Sequence, residues 1–295
     1  MMEQQWQDGT WQSADGLSLH YRDYPCTDPD KAVRPPILCL PGLTRNARDF
    51  EPVAAAFAGE WRVIAVDFRG RGDSDYARDT ATYVPATYVA DVAALLDQAG
   101  LERVVTVGTS LGGLVSVFLA NAMPERIAGM VINDIGPVIE PAGLARIREY
   151  VGQGRSFPTW MHAARYLQEA GGAAFPDYTI SDWLVQAKRL MALGNGGRIV
   201  LDYDMRIAEP FAAAEAAETG APDADLWPAF RSLPAVPRLV VRGELSDILS
   251  AGTLDAMKRK IAGLQTVTVP RTGHAPTLGE APARDAIARL LDEVE

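Results

Sequence analysis

A serine, a histidine and a carboxylate suffice for nucleophilic acyl transfer when a fold brings them together. The segment Gly108-Thr109-Ser110-Leu111-Gly112 offers the serine. It follows the apolar run Val104 to Val107 and precedes a helix-forming stretch from Leu111 to Asn121. A G-x-S-x-G segment in that setting is a nucleophile elbow. The turn is so tight that side chains at Gly108 or Gly112 would meet neighbouring backbone. The serine hydroxyl then stands clear of the sheet, and the next backbone N–H, that of Leu111, points at the same spot. A peptide N–H at a helix start stabilises an oxyanion. A glycine-rich turn that merely contains serine is the plain alternative, and the strand before it and helix after it argue against that.

Ser110 needs a base, and the chain has three histidines. His20 precedes the elbow, in the N-terminal strands. His162 sits in Trp160-Met161-His162-Ala163 at helical spacing and reads as a surface histidine. His274, in Thr272-Gly273-His274-Ala275-Pro276, lies on a loop after the apolar run Thr266 to Val269, late in the chain, as the order serine, acid, histidine requires. The acid is expected after the run Arg238 to Val241, where two carboxylates compete, Glu244 and Asp247. Asp247 lies farther out and is the better placed to hold the imidazole; Glu244 is a neighbour or substitute. A second oxyanion donor is expected from Leu40-Pro41-Gly42-Leu43-Thr44-Arg45-Asn46. Pro41 has no N–H, Gly42 permits close approach, and Leu43 N–H is the expected donor. Arg45 is a candidate contact for a substrate carboxylate or carbonyl, against the plain reading of a solvated charge.

The elements that must position these residues alternate. Trp6 to Ser13 and Leu17 to Asp23 read as a hairpin about Asp15-Gly16. Apolar runs at Pro36 to Leu40, Arg62 to Val66, Val104 to Val107 and Ile127 to Asn133 are separated by helical patterns at Ala47 to Ala58, Pro85 to Gln98 and Leu111 to Asn121. Apolar strands alternating with helices indicate a parallel sheet covered on both faces. From about Gly136 to about Asp225 the pattern is helical with no convincing strand; Ser181 is the expected N-cap of one helix, Gly194 to Gly197 a break, and Ala-rich helix continues to about Glu218. Strands return at Arg238 to Val241 and Thr266 to Val269, with helices at Thr253 to Ile261 and Ala283 to Val294. The expected organisation is a core of residues 1–135 and 226–295 with a helical cap, 136–225, inserted over the carboxyl edge of the sheet.

The 295 residues carry 48% hydrophobic and 22% charged side chains, the balance of a globular chain with one sizeable core. A formal net charge of -10 disfavours nucleic acid and anionic membrane surfaces as partners. No apolar stretch is long enough to span a bilayer, and the N-terminus has no signal-peptide pattern. Of two cysteines, Cys39 lies inside the run Ile37 to Leu40 and reads as a buried hydrophobe, and nothing demands a disulfide with Cys26. A reducing, cytoplasmic location is expected. No His and Cys spacing suggests zinc.

Taken together, Leu40-Pro41-Gly42-Leu43, Asp67-Phe68-Arg69-Gly70-Arg71-Gly72-Asp73-Ser74, the elbow around Ser110, the loop Arg242 to Asp247 and Gly273-His274 resemble the α/β-hydrolase superfamily with a helical cap, nearly end to end. The second segment is similar to that family's D-x-R-G-x-G-x-S turn. Pro41 is a departure, since many members carry histidine there. Within the superfamily the chain resembles bacterial esterases, enol-lactonases and C–C bond hydrolases. The resemblance implies a carboxylesterase or lactonase that needs neither metal nor organic cofactor: Ser110 attacks a carbonyl, His274 takes its proton and passes it to the leaving alcohol, and water releases the acyl group. The apolar cap, with Trp160 and Trp183 among its aromatics, is expected to select a small to medium, largely apolar ester or lactone. A C–C bond hydrolase or perhydrolase would use the same three residues, and a ligand receptor on the same fold would bind without turnover. Oligomeric state is not legible.

Overall fold

The computed structural model describes residues 6–210, 213 and 225–294. Eight strands form one sheet in the order β1-β2-β4-β3-β5-β6-β10-β11. The hairpin of β1 (Gln7–Gln12) and β2 (Ser18–Tyr24) pairs antiparallel with β4 (Val63–Val66). The remaining pairs are parallel: β4 with β3 (Ile37–Leu40), β3 with β5 (Val104–Thr109), β5 with β6 (Ile127–Asn133), β6 with β10 (Arg238–Gly243), and β10 with β11 (Leu264–Val269). β3, β4 and β6 are buried at every position, which is why their sequences run apolar without alternation.

Helices cover both faces and split the core into two layers. α2 (Pro85–Gln98) begins with proline at its first turn and turns Tyr88, Val92, Leu95 and Leu96 inward. With α3 (Leu111–Ala122) it closes one face over Leu38, Ile64, Val104 and Met130. The other face packs Ile37, Cys39, Val105 and Val131 against α1 (Glu51–Phe57) and the C-terminal helix Ala281–Leu291. Cys39 and Cys26 are both free thiols. No helix among the described residues is long and apolar enough to cross a membrane.

Between β6 and β10 lie α4 (Pro141–Tyr150), α5 (Trp160–Gly171) and α6 (Ile180–Leu190). This insertion is not all helical, as the sequence pattern suggested. β7 (Ser156–Phe157), β8 (Met191–Leu193) and β9 (Ile199–Leu201) form an antiparallel sheet ordered β7-β9-β8. Strands of two or three residues are too short to show alternation, and Gly194 to Gly197 is the turn of their hairpin: Gly194 N–H donates to Arg198 O and Gly197 N–H to Gly194 O. The N-cap of α6 is Thr179 rather than Ser181. Its hydroxyl accepts from Asp182 N–H while the Asp182 carboxylate accepts from Thr179 N–H, a reciprocal pair that fixes the first turn. Most of the Ala-rich stretch expected to be helical as far as Glu218 lies outside the described residues.

Candidate active site

The sheet register explains why residues far apart in sequence meet. Thr109 pairs with Asn133, and Asn133 pairs with Val241, so the carboxyl ends of β5, β6 and β10 lie side by side. The residues just past them are Ser110 and Asp134. Ser110 N–H donates to Asn133 O, and Asp134 N–H donates to Val241 O.

Ser110 has φ 53° and ψ -115°, a conformation that costs a non-glycine residue backbone strain. The strain is imposed by a turn with no spare room. A Cβ on Gly112 would lie 2.0 Å from Leu40 O and 2.7 Å from Pro41 O, so the start of α3 is pressed directly under the loop after β3. On the far side of that loop, a Cβ on Gly42 would lie 3.8 Å from Ser110 Cβ. Gly42 and Leu111 therefore flank the serine, with Leu43 the next residue of the loop, and among the described residues neither the Leu43 nor the Leu111 backbone N–H has a protein acceptor. Both remain available to an oxygen bound at Ser110.

His274 reaches the serine from the loop after β11. Its Nε2 is 3.0 Å from Ser110 Oγ. Its Nδ1 is 2.8 Å from Asp134 Oδ2, and the Asp134 side chain is fully buried. The second Asp134 oxygen accepts from Gly243 N–H at 2.9 Å. A carboxylate with one oxygen on the backbone and one on imidazole fixes the ring orientation and the tautomer that carries hydrogen on Nδ1. Asp134 also has positive φ, at 56°. Two strained non-glycine residues thus stand next to each other at the centre of the site.

Asp247 does not occupy the position expected of the acid. Its carboxylate is held by two hydrogen bonds from Arg146 on α4, Nε to Oδ2 at 2.5 Å and Nη2 to Oδ1 at 2.8 Å. Burial raises the Asp247 carboxyl, but the Arg146 bonds and charge, with the charge of His274, outweigh it and leave its pKa below the ordinary value. Close packing fixes the arrangement: a Cβ on Gly143 of α4 would lie 2.3 Å from Asp247 O. Glu244 is turned away as well, accepting from Arg271 N–H at 2.7 Å. The chain order serine, acid, histidine and the position of the loop after Arg238 to Val241 pointed past β10, whereas the carboxylate on His274 is the first residue beyond β6. Its signal was present, an aspartate immediately after the strand neighbouring the serine strand.

His20 and His162 are both remote from Ser110 in their bonding. His20 is buried with Nδ1 on Asp67 and Nε2 on Asp8, and His162 is exposed beside Thr159. The expected substrate contacts separate. Arg45 carries its Nε on Asp49 at 2.7 Å and lines a crevice with Thr109, Gln186, Arg189 and Ala275. Trp183 is 5% exposed and sits edge-on to Phe175 and Tyr178, 6.0 and 5.2 Å between ring centroids. It packs in the core of the insertion. Trp160 starts α5, half-buried against the same cluster. The insertion touches the loop that carries His274 through Gly273 N–H, which donates to Ala174 O at 2.7 Å.

Comparison with known proteins agrees with this architecture. A 3-hydroxybutyrate-oligomer hydrolase from Cupriavidus necator is 36% identical over 255 residues, covering 85% of this chain and 86% of its own. A 2-(acetamidomethylene)succinate hydrolase from Mesorhizobium japonicum is 29% identical, covering 83% of each. A crystal structure of an alpha/beta hydrolase from Novosphingobium aromaticivorans superposes with a TM-score of 0.91 at 56% identity, covering 98% of this chain and 99% of that one. The family model for the alpha/beta hydrolase fold matches residues 35–281, and the chain belongs to that family.

Proposed function

We propose that this hydrolase cleaves carboxylic esters of short hydroxyacyl chains through an acyl-enzyme on Ser110. The observation that carries the reading is the unbroken chain from Ser110 Oγ to His274 Nε2 and from His274 Nδ1 to buried Asp134. His274 takes the hydroxyl proton as Ser110 attacks the carbonyl, Asp134 stabilises the imidazolium, and the Leu43 and Leu111 N–H groups bind the oxyanion. The proton then goes to the leaving alkoxide, and a water activated by the same histidine releases the acid. The insertion acts as a cap over this edge of the sheet. The substrate class rests on the relative named for 3-hydroxybutyrate oligomers.

The test is incubation with the linear dimer and trimer of 3-hydroxybutyrate, reading monomer by mass spectrometry. Release that disappears in Ser110→Ala supports the proposal; no release, with equal activity on unrelated simple esters, redirects the substrate assignment. The second named relative favours one rival substrate, 2-(acetamidomethylene)succinate, and belongs in the same panel. Preferential turnover of it would replace the ester reading while keeping the same residues.

A further inference from the structure

The turn Asp67 to Ser74 is the sequence motif that the serine chemistry leaves without a role. It buries three charged side chains, Asp67, Arg69 and Arg71. Two are compensated. Asp67 accepts from Ala47 N–H, Asp73 N–H and faces His20 Nδ1, while Arg69 is bound by Asp91 and Asp15. Arg71 is different. Its side chain is completely buried, yet among the described residues no carboxylate forms an ion pair with it. Nη1 donates to Arg69 O at 2.7 Å and to Tyr88 Oη at 2.9 Å, and Nη2 has no partner. The faces of Tyr88 and Tyr83, 4.9 and 5.6 Å from the guanidinium carbon, supply the rest of its surroundings.

A buried cation without a counter-ion is costly to the fold. Positive φ at Gly70 and Gly72, 75° and 53°, bends the chain on either side of it. A side chain at Gly70 would collide with Tyr83, and one at Gly72 with the Asp67 carboxylate. The remaining donor, Nε, shows what the arrangement serves: it donates to Leu43 O at 3.0 Å. Leu43 follows Gly42, the residue that closes on Ser110, and its N–H has no protein acceptor among the described residues. The peptide on its other side is held too, since Arg45 N–H donates to Gly42 O at 3.2 Å. Both peptides flanking Leu43 are thus clamped, one by a charge.

We infer that Arg71 is a positioning residue for the oxyanion loop. Its guanidinium holds the carbonyl of the peptide that follows Leu43 and so, together with the Arg45 N–H contact on Gly42 O, orients the adjoining Gly42–Leu43 peptide whose N–H faces the substrate oxygen, and its uncompensated charge favours the negative charge that develops there. This rests on the acyl-transfer reading above. Because the oxyanion exists only after attack, the contribution belongs to the transition state and not to substrate binding.

The experiment compares wild type, Arg71→Met, Arg71→Lys and Tyr88→Phe on p-nitrophenyl butyrate, with inhibition by a trifluoromethyl ketone, which forms an oxyanion on the serine, and thermal unfolding for each. Arg71→Met is expected to lose on the order of a hundredfold in kcat with KM within about twofold, and to lose ketone affinity by a similar factor. Arg71→Lys, which keeps charge without the planar fork, loses about tenfold in kcat alone. Tyr88→Phe, which removes one partner of Arg71 but not its charge, lowers the melting temperature and keeps kcat within about threefold. The inference is overturned by an Arg71→Met enzyme with wild-type kcat. It is equally overturned by losses that track melting temperature across all three variants. If Arg71→Met does not fold, Arg71→Lys decides, and wild-type kcat and ketone affinity in that variant overturn the inference. Ser110→Ala in parallel separates the two failures: turnover independent of Ser110 refutes the acyl-transfer reading itself.

Discussion

Replacing Asp134 by asparagine and Asp247 by asparagine should have opposite consequences. Asp134 has no solvent exposure and serves two N–H donors at once, Gly243 at 2.9 Å and His274 at 2.8 Å. An asparagine offers one carbonyl and one NH₂ in that space. If the carbonyl faces His274, the NH₂ opposes Gly243 N–H, a buried donor against a donor that costs about 1–3 kcal/mol of stability. If the NH₂ faces His274, the ring takes the tautomer with hydrogen on Nε2, which cannot accept the Ser110 proton. Either way the imidazolium loses its buried anion. Removal of the orienting charge from such a triad costs on the order of 10⁴ in kcat, equivalent to about 5 kcal/mol of barrier. Asp247 is 34% exposed and bound to Arg146, itself 41% exposed, so solvent screens the pair and Asp247→Asn should change kcat/KM less than about tenfold. The assay is initial-rate hydrolysis of p-nitrophenyl butyrate, with melting temperatures as a folding control. The reverse ranking, with Asp247→Asn the more damaging in folded protein, would refute the assignment of Asp134.

Gly112→Ala should abolish activity and destabilise the protein, since its Cβ would sit 2.0 Å from Leu40 O; a folded, active variant in a crystal or activity screen would mean the elbow is looser than described. Trp183→Ala should cost about 3–5 kcal/mol in unfolding by urea, because the ring is buried among Phe175 and Tyr178, whereas a stable variant with altered substrate preference would restore it to the pocket. Asp15 is lowered to about 2 by hydrogen bonds from Arg69 and Ser13. Its folded pKa lies below the ordinary carboxyl value, so its stabilising contribution is present above about pH 4 and fades as pH falls toward 2. The melting temperature of Asp15→Asn should therefore fall less steeply than wild type across that window, and parallel curves would contradict it.

How much of this was legible in the sequence follows from which constraints are local. Ser110 and its glycines declare themselves because one tight turn dictates all of them, and the strand Ile127–Asn133 is visible because both its faces are buried. Chain order pointed to His274, and its Nε2 lies 3.0 Å from Ser110 Oγ. The contact of Asp134 with that histidine was not legible, because it is set by sheet register: only the neighbouring of Thr109, Asn133 and Val241 brings the end of β6 to His274. Asp247 looked better placed, and only the packing of α4 shows its carboxylate engaged by Arg146. The small sheet β7-β9-β8 was illegible for another reason, since strands of two or three residues leave no period to read. Trp183 shows a third limit: an aromatic in an insertion has the same sequence signature whether it packs a core or lines a pocket.

The account stands most directly on the reactivity of one hydroxyl. Incubation of the folded protein with a fluorophosphonate probe, followed by intact-mass measurement and peptide mapping, reports whether Ser110 is activated by its neighbours. The expected result is a single adduct on Ser110 that is absent in Ser110→Ala and strongly slowed in Asp134→Asn. No adduct on folded protein, or one on a different residue, would contradict the central claim.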